Sequence, residues 1–240
     1  MTGEPVLTLE GVSASYGPFR ALFDIDLSVG EGQALALLGA NGAGKTTAAR
    51  VCSGLLRPTS GVVRHRGVDL ARKRPFEIAR AGLVQAPEGR SVFATLTVEE
   101  NLELWFRRSV GKSELGALLD RAYEAFPRLG ERRHQVAGTM SGGEQRMLSL
   151  ARVLVDPPDV LVADELSLGL APIIADEVYR TLARIKELGT TLVIVEQQIP
   201  HALALADEAA VLRSGRVIHQ GPAAEVAELA EELLLGGEGD

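Results

Sequence analysis

Ala34-Leu35-Ala36-Leu37-Leu38 runs into Gly39-Ala40-Asn41-Gly42-Ala43-Gly44-Lys45-Thr46, and an alanine-rich segment from Thr47 follows. The first five residues form a short continuous apolar run, the pattern of a strand buried on both faces of a parallel sheet. The segment after Thr46 reads as a helix. The loop between them fits G-x-x-x-x-G-K-[S/T] in the strand–loop–helix context that gives the motif its meaning. Its glycines let consecutive backbone N–H groups curl around phosphate oxygens, and the helix N-terminus adds a favourable dipole. Lys45 is then placed for the β and γ phosphates of a nucleotide, and the Thr46 hydroxyl for Mg²⁺. A plain glycine turn would give no structural reason for a lysine followed by a threonine.

Two more buried runs, Val160–Ala163 and Thr191–Val195, are separated from the first by helical stretches, which predicts an α/β domain. Val160-Leu161-Val162-Ala163 ends in Asp164-Glu165, so two carboxylates fall at the carboxyl edge of the sheet, where open α/β sheets bind ligands. Asp164 is expected to hold Mg²⁺ through water, and Glu165 to orient or deprotonate an attacking water. Nearer the start, Phe23, Ile25, Leu27 and Val29 alternate with Asp24, Asp26 and Ser28. That predicts a half-buried antiparallel strand with the aspartates on its wet face rather than an acid pair. Ala209–Leu212 and Val217–His219 flank Ser214-Gly215 and predict a hairpin.

From 85 to 155 the pattern is helix after helix with no clear strand, an inserted lobe. Within it Thr97-x-x-Glu100 forms a capping box ahead of Leu102, Leu104, Trp105 and Phe106. The expected organisation is one domain over 1–240: a core of 1–84 and 156–222, a helical lobe of 85–155, and a short amphipathic helix with a loose tail over 223–240.

A chain of 240 residues allows one large domain with a lobe. The net charge of −7 argues against a general nucleic-acid binder, which needs a basic surface to displace counterions. Cys52 is the single cysteine, so no internal disulfide forms, and it reads as a small buried hydrophobe. Met1–Glu10 lacks a signal-peptide pattern, and no apolar run approaches the ~20 residues that cross a bilayer. The basic cluster Arg64, Arg66, Arg72, Lys73 and Arg74 reads first as a solvated rim, with a face toward lipid headgroups as the lesser alternative. The expectation is a cytoplasmic protein, for which any membrane role would have to come from a partner.

Thr139-Met140-Ser141-Gly142-Gly143-Glu144-Gln145-Arg146 decides among the possibilities. Ser141-x-x-Glu144 is a capping box, but two glycines in a first turn cost helix stability and suggest close backbone approach to a ligand. The segment resembles the ABC signature motif. With the phosphate loop and the Asp-Glu strand, it makes nearly the whole chain similar to ABC ATPases. The resemblance implies an α/β P-loop (RecA-like) ATPase core with an N-terminal antiparallel β subdomain and an inserted helical lobe, using ATP and Mg²⁺. It implies ATP binding by Gly39, Ala40, Asn41, Gly42, Ala43, Gly44, Lys45, Thr46 and Thr47, with Tyr16 stacking on adenine. Two copies sandwich two nucleotides in that family, so Ser141, Gly142, Gly143 and Glu144 would contact ATP in trans.

Three positions depart from the common family pattern. Glu88 stands where most ABC ATPases have the glutamine that touches Mg²⁺; Gln85, three residues earlier, is set aside as a decoy. Gln197 stands in place of the switch histidine, as a catalytic residue beside Glu165, while His201 belongs to a helix surface. Leu166 replaces the proline that usually follows the catalytic glutamate.

Pro87-Glu88-Gly89-Arg90, Leu96 to Leu102, Ser167 to Pro172 and Val195-Glu196-Gln197 narrow the resemblance to the ATP-binding subunits of branched-chain amino acid importers. Importers for urea and amides share much of this pattern. Non-transport ABC ATPases remain an alternative class, as does a nucleotide-sensing subunit without turnover. The resemblance implies a second ATP-binding subunit, identical or not, and integral membrane permease subunits. An extracytoplasmic solute-binding protein would be an indirect partner, nucleic acid would not be one, and the chain would sit on the cytoplasmic face of the cell membrane.

Overall fold

The computed structural model describes residues 5–87, 89, 91–107, 114–197 and 199–228. Glu88, Arg90 and the tail beyond 228 lie outside the described residues. The chain divides into two units. One comprises Met1–Gln85, Asp159–Glu165 and Gly189–Asp240; the other comprises Ala86–Pro158 and Leu166–Leu188.

The first unit carries two sheets. β1 (Pro5–Tyr16), β2 (Phe19–Gly30), β4 (Ser60–His65) and β5 (Val68–Asp69) form an antiparallel sheet in the order β2-β1-β4-β5. The second sheet has the order β10-β9-β3-β8-β7-β6, built from β3 (Ala34–Leu38), β6 (Leu83–Ala86), β7 (Val160–Asp164), β8 (Thr191–Glu196), β9 (Glu208–Arg213) and β10 (Arg216–Pro222). Strands β9, β3, β8 and β7 run parallel, and β10 turns back antiparallel on β9. Helices α1 (Lys45–Cys52), α2 (Pro75–Arg80) and α8 (Ile199–Leu205) complete the unit.

Strands β3, β7 and β8 are buried throughout, and apolar except for Thr191 and the acids that end β7 and β8, because both of their faces are covered. On one face Leu35, Leu37, Val160, Val162, Val193 and Val195 share a core with Ala48, Ala49, Val51 and Cys52 of α1. The period of two then puts Asp164 next in line after Val160 and Val162, and Gln85 next after Leu83. Register sets the polar ends level: Asp164 lies opposite Val195, and Leu38 opposite Glu196.

The expected runs match β3, β7 and β8 within a residue at their ends. The hairpin forms as expected, with positive φ at both Ser214 and Gly215, the two-residue turn that suits strand twist. Two local expectations fail. In β2 the core residue is Leu22 rather than Phe23, because Asp24 adopts a left-handed φ of 54° and the β1–β2 register shifts there. Phe23 instead lies under the guanidinium groups of Arg20 and Arg216, at 4.7 and 5.1 Å. And β6 runs two residues into the stretch read as purely helical; four residues are too short to carry a period.

Cys52 is buried, and burial pushes its thiol up to about 12. Three of the basic side chains are held by carboxylates: Arg64 by Glu10, Arg66 by Glu31 and Asp159, and Arg74 by Glu77. Among the described residues no helix is long and apolar enough to cross a membrane.

The second unit holds α3 (Val98–Phe106), α4 (Leu115–Ala125), α5 (Pro127–Glu131), α6 (Gly142–Val155) and α7 (Pro172–Glu187). Both expected capping boxes are present. Thr97 Oγ1 accepts from the Glu100 amide at 3.2 Å while Glu100 Oε2 accepts from the Thr97 amide at 2.8 Å; Ser141 and Glu144 do the same for α6. Asn101, fully buried in α3, accepts from the Phe93 amide at 2.8 Å and donates to the Thr97 carbonyl at 2.8 Å, pinning the loop that leads into the helix. Replacing it with alanine strands a partly buried amide. Asn101→Ala is therefore expected to cost about 1–3 kcal/mol, read from urea unfolding; an unchanged midpoint would show that the loop does not depend on this side chain.

Glu144 accepts from the Ser141 backbone amide first, then feels burial and the Ser141 hydroxyl, and its carboxyl is held below the ordinary value of 4.5. A depressed folded pKa adds stability above the unfolded value, and that stability is lost as pH falls through the folded one. The stability difference between wild type and Glu144→Gln should therefore shrink as pH drops through the acid range below 4.5. Urea midpoints at neutral and acid pH measure it, and a pH-independent difference would contradict it.

Candidate functional site

The phosphate loop, residues 39–46, leaves β3 and enters α1. Gly44 caps the helix with φ of 108°, and a Cβ there would come within 2.9 Å of Leu22 Cδ2, so only glycine fits. Gly42 differs: φ is 79°, and a Cβ would meet nothing within 4 Å. Its backbone borders open space, in a cavity lined by Ala40, Asn41, Gly42, Ala43, Leu212, Arg213 and Ser214. The β9–β10 turn braces the loop, since the Gly215 amide donates to the Ala43 carbonyl at 2.8 Å.

Lys45 is only 4% exposed. Its Nζ donates to the carbonyls of Gly39 at 2.9 Å and Ala40 at 3.2 Å, and lies 3.3 Å from Glu165 Oε1. Thr46 Oγ1 donates to Asp164 Oδ1 at 3.2 Å, while Thr47 is buried in α1. Asp164, 1% exposed, also receives the Gln85 side-chain amide at Oδ2, at 3.2 Å. The structure thus brings Lys45, Thr46, Asp164 and Glu165 to one place at the carboxyl edge of the sheet.

Glu165 follows β7 in a left-handed conformation, φ 46°, with its amide donated to the Val195 carbonyl at 2.8 Å. A residue before proline is driven toward extended conformations. Leucine at 166, 1% exposed, places no such restriction on Glu165. Gln197 stands exposed just past β8, its backbone amide donating to Glu196 Oε2 at 3.3 Å. Tyr16 ends β1; it is 40% exposed, and its hydroxyl accepts from Arg50 of α1 at 3.1 Å. That contact leaves an aromatic ring partly open to solvent, as stacking on a base requires.

A hydroxyl and a carboxylate at one point suit Mg²⁺, a hard cation that takes one or two protein oxygens and completes its shell with phosphates and water. The open backbone at Gly42 and the buried lysine suit a polyphosphate. Glu88 lies outside the described residues. Gln85, set aside on sequence, is the site residue that reading by position missed. Its place one step beyond core residue Leu83, on the same face of β6, is the signal that could have found it.

In the second unit Ser141 caps α6, and its hydroxyl donates to Glu144 Oε2 at 2.8 Å. The two glycines divide. Gly142 has open space where a Cβ would lie, as close ligand approach requires, whereas a Cβ on Gly143 would come within 2.9 Å of Ile174 of α7. Packing of α6 on α7 therefore already explains Gly143 without a ligand. Gln145, buried, donates to the carbonyls of Ala137 at 2.7 Å and Met140 at 3.0 Å and fixes the approach to the helix.

Comparison with known proteins agrees with this geometry. Residues 22–167 match the family described as ABC transporter. A high-affinity branched-chain amino acid transport ATP-binding protein of Pseudomonas aeruginosa is 41% identical over 236 residues, covering 97% of this chain and 100% of that protein. A probable branched-chain amino acid transport ATP-binding protein of Archaeoglobus fulgidus is 36% identical, covering 94% of this chain and 96% of its own length. Among solved structures, an ATP-binding cassette of an ABC transporter in its ADP conformation superposes with a TM-score of 0.81 at 26% identity, covering 96% of this chain and 95% of that one. The cbiO1 protein of Clostridium perfringens, part of the ABC transporter complex cbiONQ, gives 0.81 at 26% identity, covering 95% and 93%. The phosphate loop, the acidic strand end and the extent of these matches lead to one conclusion: the chain belongs to the ABC transporter family, as one of its ATP-binding cassettes.

Proposed function

We propose that this cassette hydrolyses ATP to drive import of branched-chain or closely related amino acids through separate membrane permease subunits. One observation carries the ATPase reading: Lys45, Thr46, Asp164 and Glu165 converge at the end of β3 and β7. The substrate class rests on the two relatives named for branched-chain amino acid transport.

Lys45 is held by two loop carbonyls and Glu165. The β and γ phosphates offer it a denser negative charge, so on binding it exchanges Glu165 for phosphate oxygens. The backbone amides from Gly39 to Gly44 wrap the phosphates, Thr47 extends the cradle into α1, and Tyr16 stacks on the adenine. Thr46 and Asp164 would hold Mg²⁺, together with Glu88; when bound, Mg²⁺ neutralises charge on the phosphate oxygens. Glu165, released from Lys45, orients the attacking water and accepts its proton. Gln197 hydrogen-bonds the γ-phosphate or that water through its amide. Ser141, Gly142, Gly143 and Glu144 of a second copy, or of a related subunit, close over the nucleotide. The second unit hands the resulting motion to the permease on the cytoplasmic face of the membrane, and a solute-binding protein outside delivers the amino acid.

Lys45→Ala is expected to abolish tight MgATP binding in calorimetric titration, and unchanged affinity would remove the phosphate loop from the site. Glu165→Gln separates two roles. Hydrolysis should fall by ~10²–10⁴-fold for loss of a general base. ATP affinity should be equal or tighter, because the neutral amide no longer competes with phosphate for Lys45. Normal phosphate release by this variant would exclude Glu165 as the base, and markedly weaker ATP binding would exclude the partner exchange at Lys45.

A further inference from the structure

Gln85 is not among the residues that the family resemblance assigns to catalysis, yet its side chain lies against the carboxylate at the centre of the site. Nε2 is 3.2 Å from Asp164 Oδ2, and Oε1 is 2.6 Å from Ser53 Oγ. The directions are fixed by chemistry. An ionised carboxylate only accepts, so the amide must present its NH₂ group to Asp164. Its carbonyl then faces Ser53, whose hydroxyl must donate. Ser53 is the residue that caps the C-terminal end of α1, the helix whose first turn carries Lys45 and Thr46.

The contacts therefore close a ring. From Asp164 Oδ1 the path runs to Thr46, along α1 to Ser53, through the Gln85 amide and back to Asp164 Oδ2. Both ends of one helix grip the two oxygens of one carboxylate, and Gln85 spans the gap from the neighbouring edge strand β6. A cation that takes a lone pair of the Thr46 oxygen leaves its proton free for Asp164 Oδ1, while the Gln85 amide holds Oδ2, so both carboxylate oxygens stay oriented.

We propose that Gln85, braced by Ser53, is a positioning residue that holds the Asp164 carboxylate in the orientation needed to receive the nucleotide-bound divalent cation. The proposal rests on reading Asp164 as the cation-side carboxylate. Groups that orient a metal-binding carboxylate typically change metal affinity by 10–100-fold when removed. A role confined to folding would instead change stability and leave the metal equilibrium alone. Ser53 has an alternative acceptor in the Ala49 carbonyl at 3.0 Å, so removing Gln85 does not strand its hydroxyl.

The test titrates Mn²⁺, followed by electron paramagnetic resonance, into the full chain saturated with a non-hydrolysable ATP analogue. Metal-free binding of the analogue is measured alongside. Gln85→Met, unbranched and without a donor, should weaken Mn²⁺ by about tenfold and change metal-free nucleotide affinity by less than about twofold. Ser53→Ala keeps every site side chain and should weaken Mn²⁺ about threefold, by letting the amide turn; it tests the proposal even if Gln85→Met fails to fold. Because Ser53 acts through Gln85, the double variant should bind Mn²⁺ no more weakly than Gln85→Met alone. Asp164→Asn is the reference. If it weakens Mn²⁺ while Gln85→Met and Ser53→Ala do not, the positioning role is overturned and the reading of Asp164 stands. If Asp164→Asn itself leaves Mn²⁺ affinity unchanged, both are overturned. Fully additive effects of Ser53→Ala and Gln85→Met would break the relay.

Discussion

A carboxylate out of water must be held by other groups, or it costs several kcal/mol. Asp164 is such a carboxylate, at the end of a strand that is otherwise apolar. Its position follows from the period of β7, which turns Val160, Val162 and Asp164 to the same face. What the surrounding structure supplies is donors: the Thr46 hydroxyl from the start of α1 and the Gln85 amide from β6. Each donor depends on a different joint of the fold. Thr46 arrives only if the phosphate loop turns correctly at Gly44, and Gln85 only if β6 pairs at the sheet edge in the right register. The parallel sheet with α1 on its face thus serves as the frame that delivers two donors to one acid.

Lys45 poses the opposite requirement. A buried ammonium must be surrounded by acceptors, and here those are two carbonyls of its own loop and Glu165. The arrangement is self-satisfied, which holds the loop in shape. It also makes nucleotide binding an exchange of partners rather than the filling of a bare charge. Glu165 is the partner that can leave, being the first residue beyond β7. Its left-handed backbone is a conformation that costs of order 1–3 kcal/mol for a non-glycine residue and persists where neighbours enforce it, here through the bond from its amide to Val195. A proline at 166 would oppose that conformation, so Leu166 and the Glu165 backbone are compatible with each other.

Much of this was legible in the sequence because the informative signals are local. The apolar runs of β3, β7 and β8, the glycine loop and both capping boxes each span fewer than ten residues and obey one period or one spacing. What escaped depends on contacts between distant segments. Phe23 fits the alternation of its strand, but a left-handed Asp24 and the β1 register decide that Leu22 enters the core. Gln85 is set aside by its place three residues before Glu88, whereas its contacts with Ser53 and Asp164 join segments that no spacing rule connects. Gly143 carried an ambiguous signal: a glycine required for approach looks the same whether a ligand or Ile174 is approaching.

That ambiguity bears on how the second unit could work. Ser141 and Glu144 satisfy one another at the start of α6, so the helix is stable there without a ligand. The first amides of any helix lack a carbonyl one turn back, and those of Gly142 and Gly143 are in that position. Gly143 is small because α7 packs on it; Gly142 is small with open space beside it. The combination is a pre-formed helix N-terminus, rigid on its protein side and bare on the other. Such an end favours an anion without needing a charged side chain. On the proposed arrangement, each copy offers this end to the γ-phosphate held by the other's Lys45. Closure then depends on the γ-phosphate itself, and its loss on hydrolysis removes the anion that both copies share.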